Sequence, residues 1–148
     1  MTSRVVVRPF QRPDLERVLK IEQASFAEDA WDSALFLRYF ITSPDLFLVA
    51  TLARRIAGYC ITSAGSRSAE LASIAVNTRD RGQGVGQNLL EHTLQELRRR
   101  RIRTCWLMVA TVNEDAQRFY QRHGFTRTRL VKNYYRAGRD AWRMQLAL

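Results

Sequence analysis

The sequence predicts a single α/β (α+β) domain over residues 1–148, built on a mixed, mostly antiparallel sheet of about seven strands flanked by about four helices. Three observations carry that expectation. The hydrophobic period changes from helical to alternating near Leu46. The apolar run Ile74-Ala75-Val76 passes through a short polar link into Gly82, Gly84 and Gly86, and then into a segment of helical spacing. A second apolar run, Thr104 to Ala110, is followed at once by Asn113 and another helical segment. With 148 residues, 46% of them hydrophobic and 26% charged, the chain is long enough for a proper core and ordinary for a globular protein.

The elements follow in order. Arg4 to Arg8 is a short β-rich run and the first expected strand. Pro13, Asp14 and Glu16 suit the first turn of a helix, and Leu15, Val18, Leu19 and Glu22 carry helical spacing to about Phe26. Ala27 to Asp32 interrupts it, and a second helix resumes at Ser33 with Asp32 or Ser33 as its cap. Beyond Pro44-Asp45, the runs Leu46–Ala53 and Ile56–Ser63 read as two strands joined by a hairpin turn at Arg54-Arg55. Gly65 to Ser68 turns the chain again, and Glu70 to Val76 is the central strand. Leu89, Leu90, Thr93, Leu94 and Leu97 mark one face of a long helix. Asn113 caps the next helix, Glu114 and Asp115 favour its first turn, Phe119 and Tyr120 lie on its inner face, and Gly124 ends it. Phe125–Val131 and Ala141–Ala147 are the last strands, joined by a loop containing Asn133, Tyr134, Tyr135 and Gly138. No internal repeat or linker divides the chain.

The formal charge of +10 is unevenly placed. Residues 1–75 hold nine Lys/Arg against eight Asp/Glu, and residues 76–148 hold fifteen against six. Such a half attracts polyanions, whether a phosphorylated cofactor, an acidic peptide or RNA. The run Arg98-Arg99-Arg100-Arg101 sits where a helix dipole favours cations, so a solvated helix end accounts for it without a dedicated RNA site. Cys60 and Cys105 each lie in an apolar run and read as buried hydrophobes of a reduced, cytoplasmic protein. Residues 1–10 have no apolar signal core, and no window approaches a membrane span. His92 and His123 are not at metal-ligand spacing, and no metal is expected.

The glycine stretch Arg81-Gly82-Gln83-Gly84-Val85-Gly86-Gln87 opens the long helix, whose first N–H groups have no intrahelical partner. Those donors and the helix dipole make an anion site, and glycine lets a phosphate come close to the backbone. Two familiar phosphate loops fail on spacing. The glycines run G-x-G-x-G rather than G-x-G-x-x-G, and Gln87-Asn88 stands where a P-loop needs Lys-Ser/Thr. What does fit is Arg81-x-x-Gly84-x-Gly86 after a strand ending Ile-Ala-Val, together with Asn113, Ala116, Tyr120 and Gly124-Phe125 beginning 37 residues after Val76. This pair of motifs resembles the acyl-CoA site of the GNAT superfamily of N-acetyltransferases. Asn133-Tyr134-Tyr135 and residues 138–144 are similar to the C-terminal hairpin of its RimI-like branch, the ribosomal-protein-alanine acetyltransferases. The resemblance runs from Val5 to Leu146 and implies a GNAT-type domain.

It also implies roles. Acetyl-CoA would be the cosubstrate, with the backbone of Ile74, Ala75 and Val76 beside its pantetheine arm, Arg81 to Gln87 around its pyrophosphate, and Asn113 and Ala116 on the pantetheine side. Tyr120 would be the general acid that protonates the departing thiolate, a task suited to a phenol with a reference pKa of about 10. Glu28, Asp29, Trp31, Asp32, Tyr134 and Tyr135 would form the acceptor wall, although Asp32 serves equally as a helix cap. The acceptor would be the N-terminal amine of a protein or peptide, a ribosomal protein among the candidates, with no requirement for membrane or nucleic acid. The sequence leaves monomer and homodimer open.

One position departs from the pattern. Where the ribosomal-protein-alanine enzymes carry a glutamate base, twelve residues before Tyr120, this chain has Met108, which accepts no proton. Glu70, six residues before Val76, stands where histone acetyltransferases of the superfamily place their catalytic glutamate, and strand alternation puts it on one side with Ala72 and Ile74. Glu70 or an ordered water is therefore the expected proton acceptor. An α-amine, with a pKa of about 7.7–8.0 against about 10.4 for lysine, needs the weaker base. The alternatives are transfer to a lysine side chain or small amine, and a non-catalytic module that binds CoA or RNA.

Overall fold

The computed structural model describes residues 4–148; the first three residues of the expected domain lie outside the described residues. Seven strands and four α-helices alternate as β1 (Val5–Pro9), α1 (Leu15–Phe26), α2 (Ser33–Thr42), β2 (Phe47–Leu52), β3 (Arg55–Ala64), β4 (Ser68–Val76), α3 (Val85–Arg99), β5 (Thr104–Ala110), α4 (Glu114–Arg122), β6 (Thr126–Arg136) and β7 (Arg139–Ala147). The sheet order is β1-β2-β3-β4-β5-β7-β6. Every neighbouring pair is antiparallel except β4 with β5. That parallel pair is also the shortest. It holds only from Ser68 to Glu70 against Thr104 to Trp106, after which the two strands part and leave a cleft in the middle of the sheet.

Two cores cover the two faces. On one, α3 presents Val85, Leu89, Leu90, Leu94 and Leu97 to Leu48, Ala50, Leu71 and Leu107 of the sheet. On the other, Val18, Ile21 and Phe36 of α1 and α2 pack on Phe47, Val49, Tyr59 and Ile61. At the end of α3, Glu96 receives Arg99 at 2.5 Å and Arg100 at 2.9 Å, so two cations of the arginine run sit as helix-end partners. These guanidiniums hold the Glu96 carboxyl down at about 2.

Three details differ from the sequence reading. The β2–β3 turn falls at Ala53-Arg54, both with positive φ (54° and 64°), while Arg55 pairs with Leu52 inside the ladder. A two-residue hairpin of this kind needs left-handed backbone at both positions, and the side chain of Arg55 is recruited elsewhere in the fold. The β6–β7 connection is no loop: Tyr134 and Tyr135 lie on β6 itself, which runs to Arg136. Asn133 bends that strand with φ 56°, its amide donating to Asp140 Oδ1 at 2.9 Å and its side chain accepting from Gly138 N–H at 2.8 Å. Finally, β4 carries a bulge. Ile61 pairs with Ser73 but the adjacent Thr62 pairs with Leu71, so one extra residue is inserted. Ala72 therefore packs on the α1–α2 side, as Ser73 does through Tyr59 and Glu22, whereas Ile74 and Val76 pack on the α3 side. Glu70 shares a face with Ala72 and not with Ile74.

Candidate active site

The parting of β4 from β5 opens a cavity of about 540 Å³, closed by the 81–87 loop, the start of α3 and the inner face of α4. Ile74, Ala75, Val76, Arg81, Gly82, Gly84, Val85, Gly86, Gln87, Asn113, Ala116 and Tyr120 all line it. Gln83 is the exception among the expected loop residues: it lines a separate recess beside Val5 to Val7, Asn88 and His92. Gly82 and Gly84 take φ of 77° and 83°, a left-handed path that other residues enter at a cost, and Gly84 is the N-cap of α3. The loop is braced from below. Asp80, fully buried, accepts both guanidinium nitrogens of Arg55 at 2.5 Å and the Asn77 amide at 3.1 Å. Arg55 and Asn77 hold its carboxyl below the usual range. With Asp80 paired to Arg55 and Asp115 to Arg118, the charges left on the cavity wall are those of Arg81 and Arg122. The wall is thus positive and faces the unpaired N–H groups at the start of α3, as an anionic, phosphate-bearing ligand requires.

Asn113 caps α4 through its side chain, which accepts from Ala116 N–H at 3.2 Å. That cap sets Tyr120 one turn beyond Ala116, facing the cleft. Its ring packs edge-on against Phe119 and Phe125, with centroids 5.5 and 5.8 Å away, and the residue is 7% exposed. Burial raises the phenol above its ordinary value, so it remains protonated throughout the neutral range.

A second cavity, of about 230 Å³, adjoins the first and shares Ile74, Asn113, Ala116 and Tyr120 with it. Trp31, Asp29, Tyr135 and Met108 of the sequence reading line this cavity. Glu28, Tyr134 and Asp32 do not. Glu28 receives Arg136 at 2.5 Å, Tyr134 is 45% exposed with its ring edge-on to Tyr135, and Asp32 accepts from Leu35 N–H at 3.0 Å as the cap of α2. Asp29 with Arg139 (3.0 Å) and Glu28 with Arg136 tie the α1–α2 connection to the β6–β7 hairpin across the cavity. The Tyr135 phenol is pushed up to about 12, chiefly by burial and then by Tyr134 and Asp29.

Glu70 lines neither cavity. It is half-buried opposite Trp106 in the β4–β5 ladder, one same-face step of strand, roughly 7 Å, from the level of Met108. Arg143, paired with Met108 across β5 and β7, places its guanidinium 4.2 Å over the Trp106 ring. Burial raises the Glu70 carboxyl and Arg143 opposes that rise. Tyr39 and Tyr134 are also raised, first by burial and next by the Glu70 charge, which puts both phenols in its surroundings.

The sequence reading missed several residues of the site, four of them charged or aromatic side chains on its walls. Phe119 and Arg122 line the larger cavity, and helical spacing from Asn113 and Tyr120 was the available signal. Arg139 and Glu22 line the smaller one, and nothing local marked either. Cys60 and Cys105 are free and buried, with thiols raised by burial to about 11 and about 12, so neither is a nucleophile.

The acetyltransferase (GNAT) family profile matches residues 14–125. The [ribosomal protein bS18]-alanine N-acetyltransferase of Salmonella typhimurium is 34% identical over 127 residues, covering 82% of this chain and 81% of that protein. The N-alpha-acetyltransferase RimI of Mycobacterium tuberculosis is 29% identical over 150 residues, covering 97% and 93%. Among solved structures, the crystal structure of Ard1 from Thermoplasma volcanium superposes with a TM-score of 0.93 at 32% identity, covering 97% of both chains.

Proposed function

The chain belongs to the acetyltransferase (GNAT) family, and from that membership we propose that it moves the acetyl group of acetyl-CoA to the N-terminal α-amine of a protein. The observation that carries this reading is the meeting of two cavities at Tyr120, Asn113 and Ile74. A thioester lying along β4 in the larger, positively charged cavity has its carbonyl carbon where an amine in the smaller cavity can attack. The site fits the cosubstrate: Arg81, Arg122 and the first N–H groups of α3 suit its phosphates, and the free edge of β4 beyond Glu70 suits its pantetheine amides.

The N–C bond forms as the C–S bond breaks, and the thiolate takes the proton of the Tyr120 hydroxyl. The acceptor's ammonium gives its first proton through water to Glu70, the half-buried carboxylate nearest in register to Met108, and the proton that the nitrogen sheds as the amide forms passes through water to the Tyr120 oxygen and restores its hydroxyl. The names of the Salmonella and Mycobacterium relatives support an α-amine acceptor, with a ribosomal protein N-terminus as one candidate. Two buried free thiols suit a cytoplasmic setting. Mass spectrometry of a peptide panel tests the reading: free N-termini are acetylated, and N-blocked peptides carrying one lysine are not. Transfer to lysine alone would sink the α-amine assignment.

A further inference from the structure

Glu22 is 1% exposed, yet it lines the acceptor cavity. Its carboxylate is served by donors only. Trp31 N–H donates to Oε2 at 2.9 Å, and the Tyr59 hydroxyl and Ser73 Oγ (3.4 Å) donate to Oε1. Burial raises the Glu22 carboxyl, and the hydrogen bonds from Tyr59, Trp31 and Ser73 oppose that rise by favouring its charged form. No Lys, Arg or His among the described residues pairs with it. A buried charge without a counter-charge is costly, and proteins keep few of them.

The two cavities consequently differ in sign. The larger carries Arg81 and Arg122, with which no acid among the described residues pairs. In the smaller, Arg139 is matched by Asp29, so the charge of Glu22 is what remains. Tyr120 and Tyr135, the other titratable groups on that wall, stay neutral because burial raises both. One compartment suits an anion and the other a cation.

We propose that Glu22 is an acceptor-positioning residue, the counter-charge that draws the ammonium group of the acceptor into the smaller cavity and holds it beside Ser73 and Tyr120. This rests on the amine-acceptor reading above and adds its recognition element. The carboxylate acts from behind Ser73, next to the inserted Ala72 of β4, and its grip on the Trp31 backbone fixes the opposite wall at the same time.

The test separates charge from structure. In Glu22→Gln the amide oxygen still accepts from Trp31 N–H, and the Tyr59 hydroxyl turns to accept from the amide nitrogen, so the fold and the affinity for CoA are retained. Binding is measured by calorimetry with saturating CoA, which permits no transfer, at pH 6.5, below the roughly 7.7–8.0 pKa of an α-amine. The probes are a free-amine peptide and its desamino analogue, in which hydrogen replaces the amine. The wild type binds the free-amine peptide roughly tenfold more tightly, a factor equivalent to about 1.4 kcal/mol, and Glu22→Gln loses that preference. Equal binding of the two peptides by the wild type overturns the proposal whether or not the variant folds, and so does an undiminished preference in a folded Glu22→Gln. An N-blocked lysine peptide and its norleucine counterpart run in parallel. If the wild type prefers only the lysine amine, the α-amine reading fails, and Glu22→Gln then judges the counter-charge on that pair.

Discussion

Tyr120→Phe removes one hydroxyl and little else. The ring keeps its contacts with Phe119 and Phe125, and no described residue hydrogen-bonds the hydroxyl, so the melting temperature stays within about 2 °C of wild type. The chemical loss is large. A positioned general acid contributes roughly 10²–10⁴-fold, about 3–5 kcal/mol of barrier. Release of CoA thiol, followed with a thiol-reactive dye under saturating acetyl-CoA and peptide, reads kcat directly. It falls by that factor at pH 7 while the KM for acetyl-CoA changes little. The pH dependence makes the test sharper. Burial raises the phenol above its ordinary value near 10, so the wild type keeps its acid through pH 9.5 and the ratio of the two rates stays constant from pH 7 to 9.5. A variant kcat within twofold of wild type at pH 7 refutes the assignment. A ratio that grows with pH across that range refutes it too, because it would mean a group that must lose its proton to act.

Glu70→Gln has the opposite signature in the same assay: a loss of roughly tenfold at pH 7 that closes above about pH 9, where solvent has already deprotonated an α-amine of pKa about 7.7–8.0. A wild-type rate at pH 7 removes Glu70 from the mechanism. Gly84→Ala forces a side chain into φ 83°, at a cost of roughly 1–2 kcal/mol, so the melting temperature drops by about 2–8 °C and acetyl-CoA binds more weakly; scanning calorimetry with and without acetyl-CoA measures both. Asp14, held below the usual carboxylate range by Arg8 at 2.8 Å, contributes stability that is present above its unfolded pKa of about 3.9 and is lost as pH falls through the lowered folded value. Asp14→Asn is thus less stable than wild type at pH 6, and melting curves converge toward pH 2; a gap that persists there argues against the ion pair as its source.

Much of this protein was legible along the chain. The strand, glycines and helix from Ile74 to Gln87 and the cap at Asn113 with Tyr120 on the same helix are local devices, set by backbone conformation and by side chains a few residues apart. They were enough to assemble the larger cavity, apart from the side on which Gln83 falls. Alternation was less dependable. It placed Glu70 with Ile74 because a bulge at Ala72-Ser73 leaves no mark in one strand's sequence; the insertion exists only relative to the register of β3.

The acceptor side was beyond such reading. Asp29 meets Arg139 across 110 residues, and Glu22 meets Tyr59 across 37 and Ser73 across 51. In the sequence Glu22 is one more polar residue on an amphipathic helix. The sequence by itself determined the fold, the glycine loop that opens α3 and the place of Tyr120 on the inner face of α4, because these follow from periodicity, capping and glycine's access to positive φ. Only the tertiary structure decided which carboxylate is buried without a cation and which stands in solvent. The energy of a charge depends on what surrounds it in three dimensions, and the residues that surround Glu22 come from β3, β4 and the α1–α2 connection, which the chain order keeps apart.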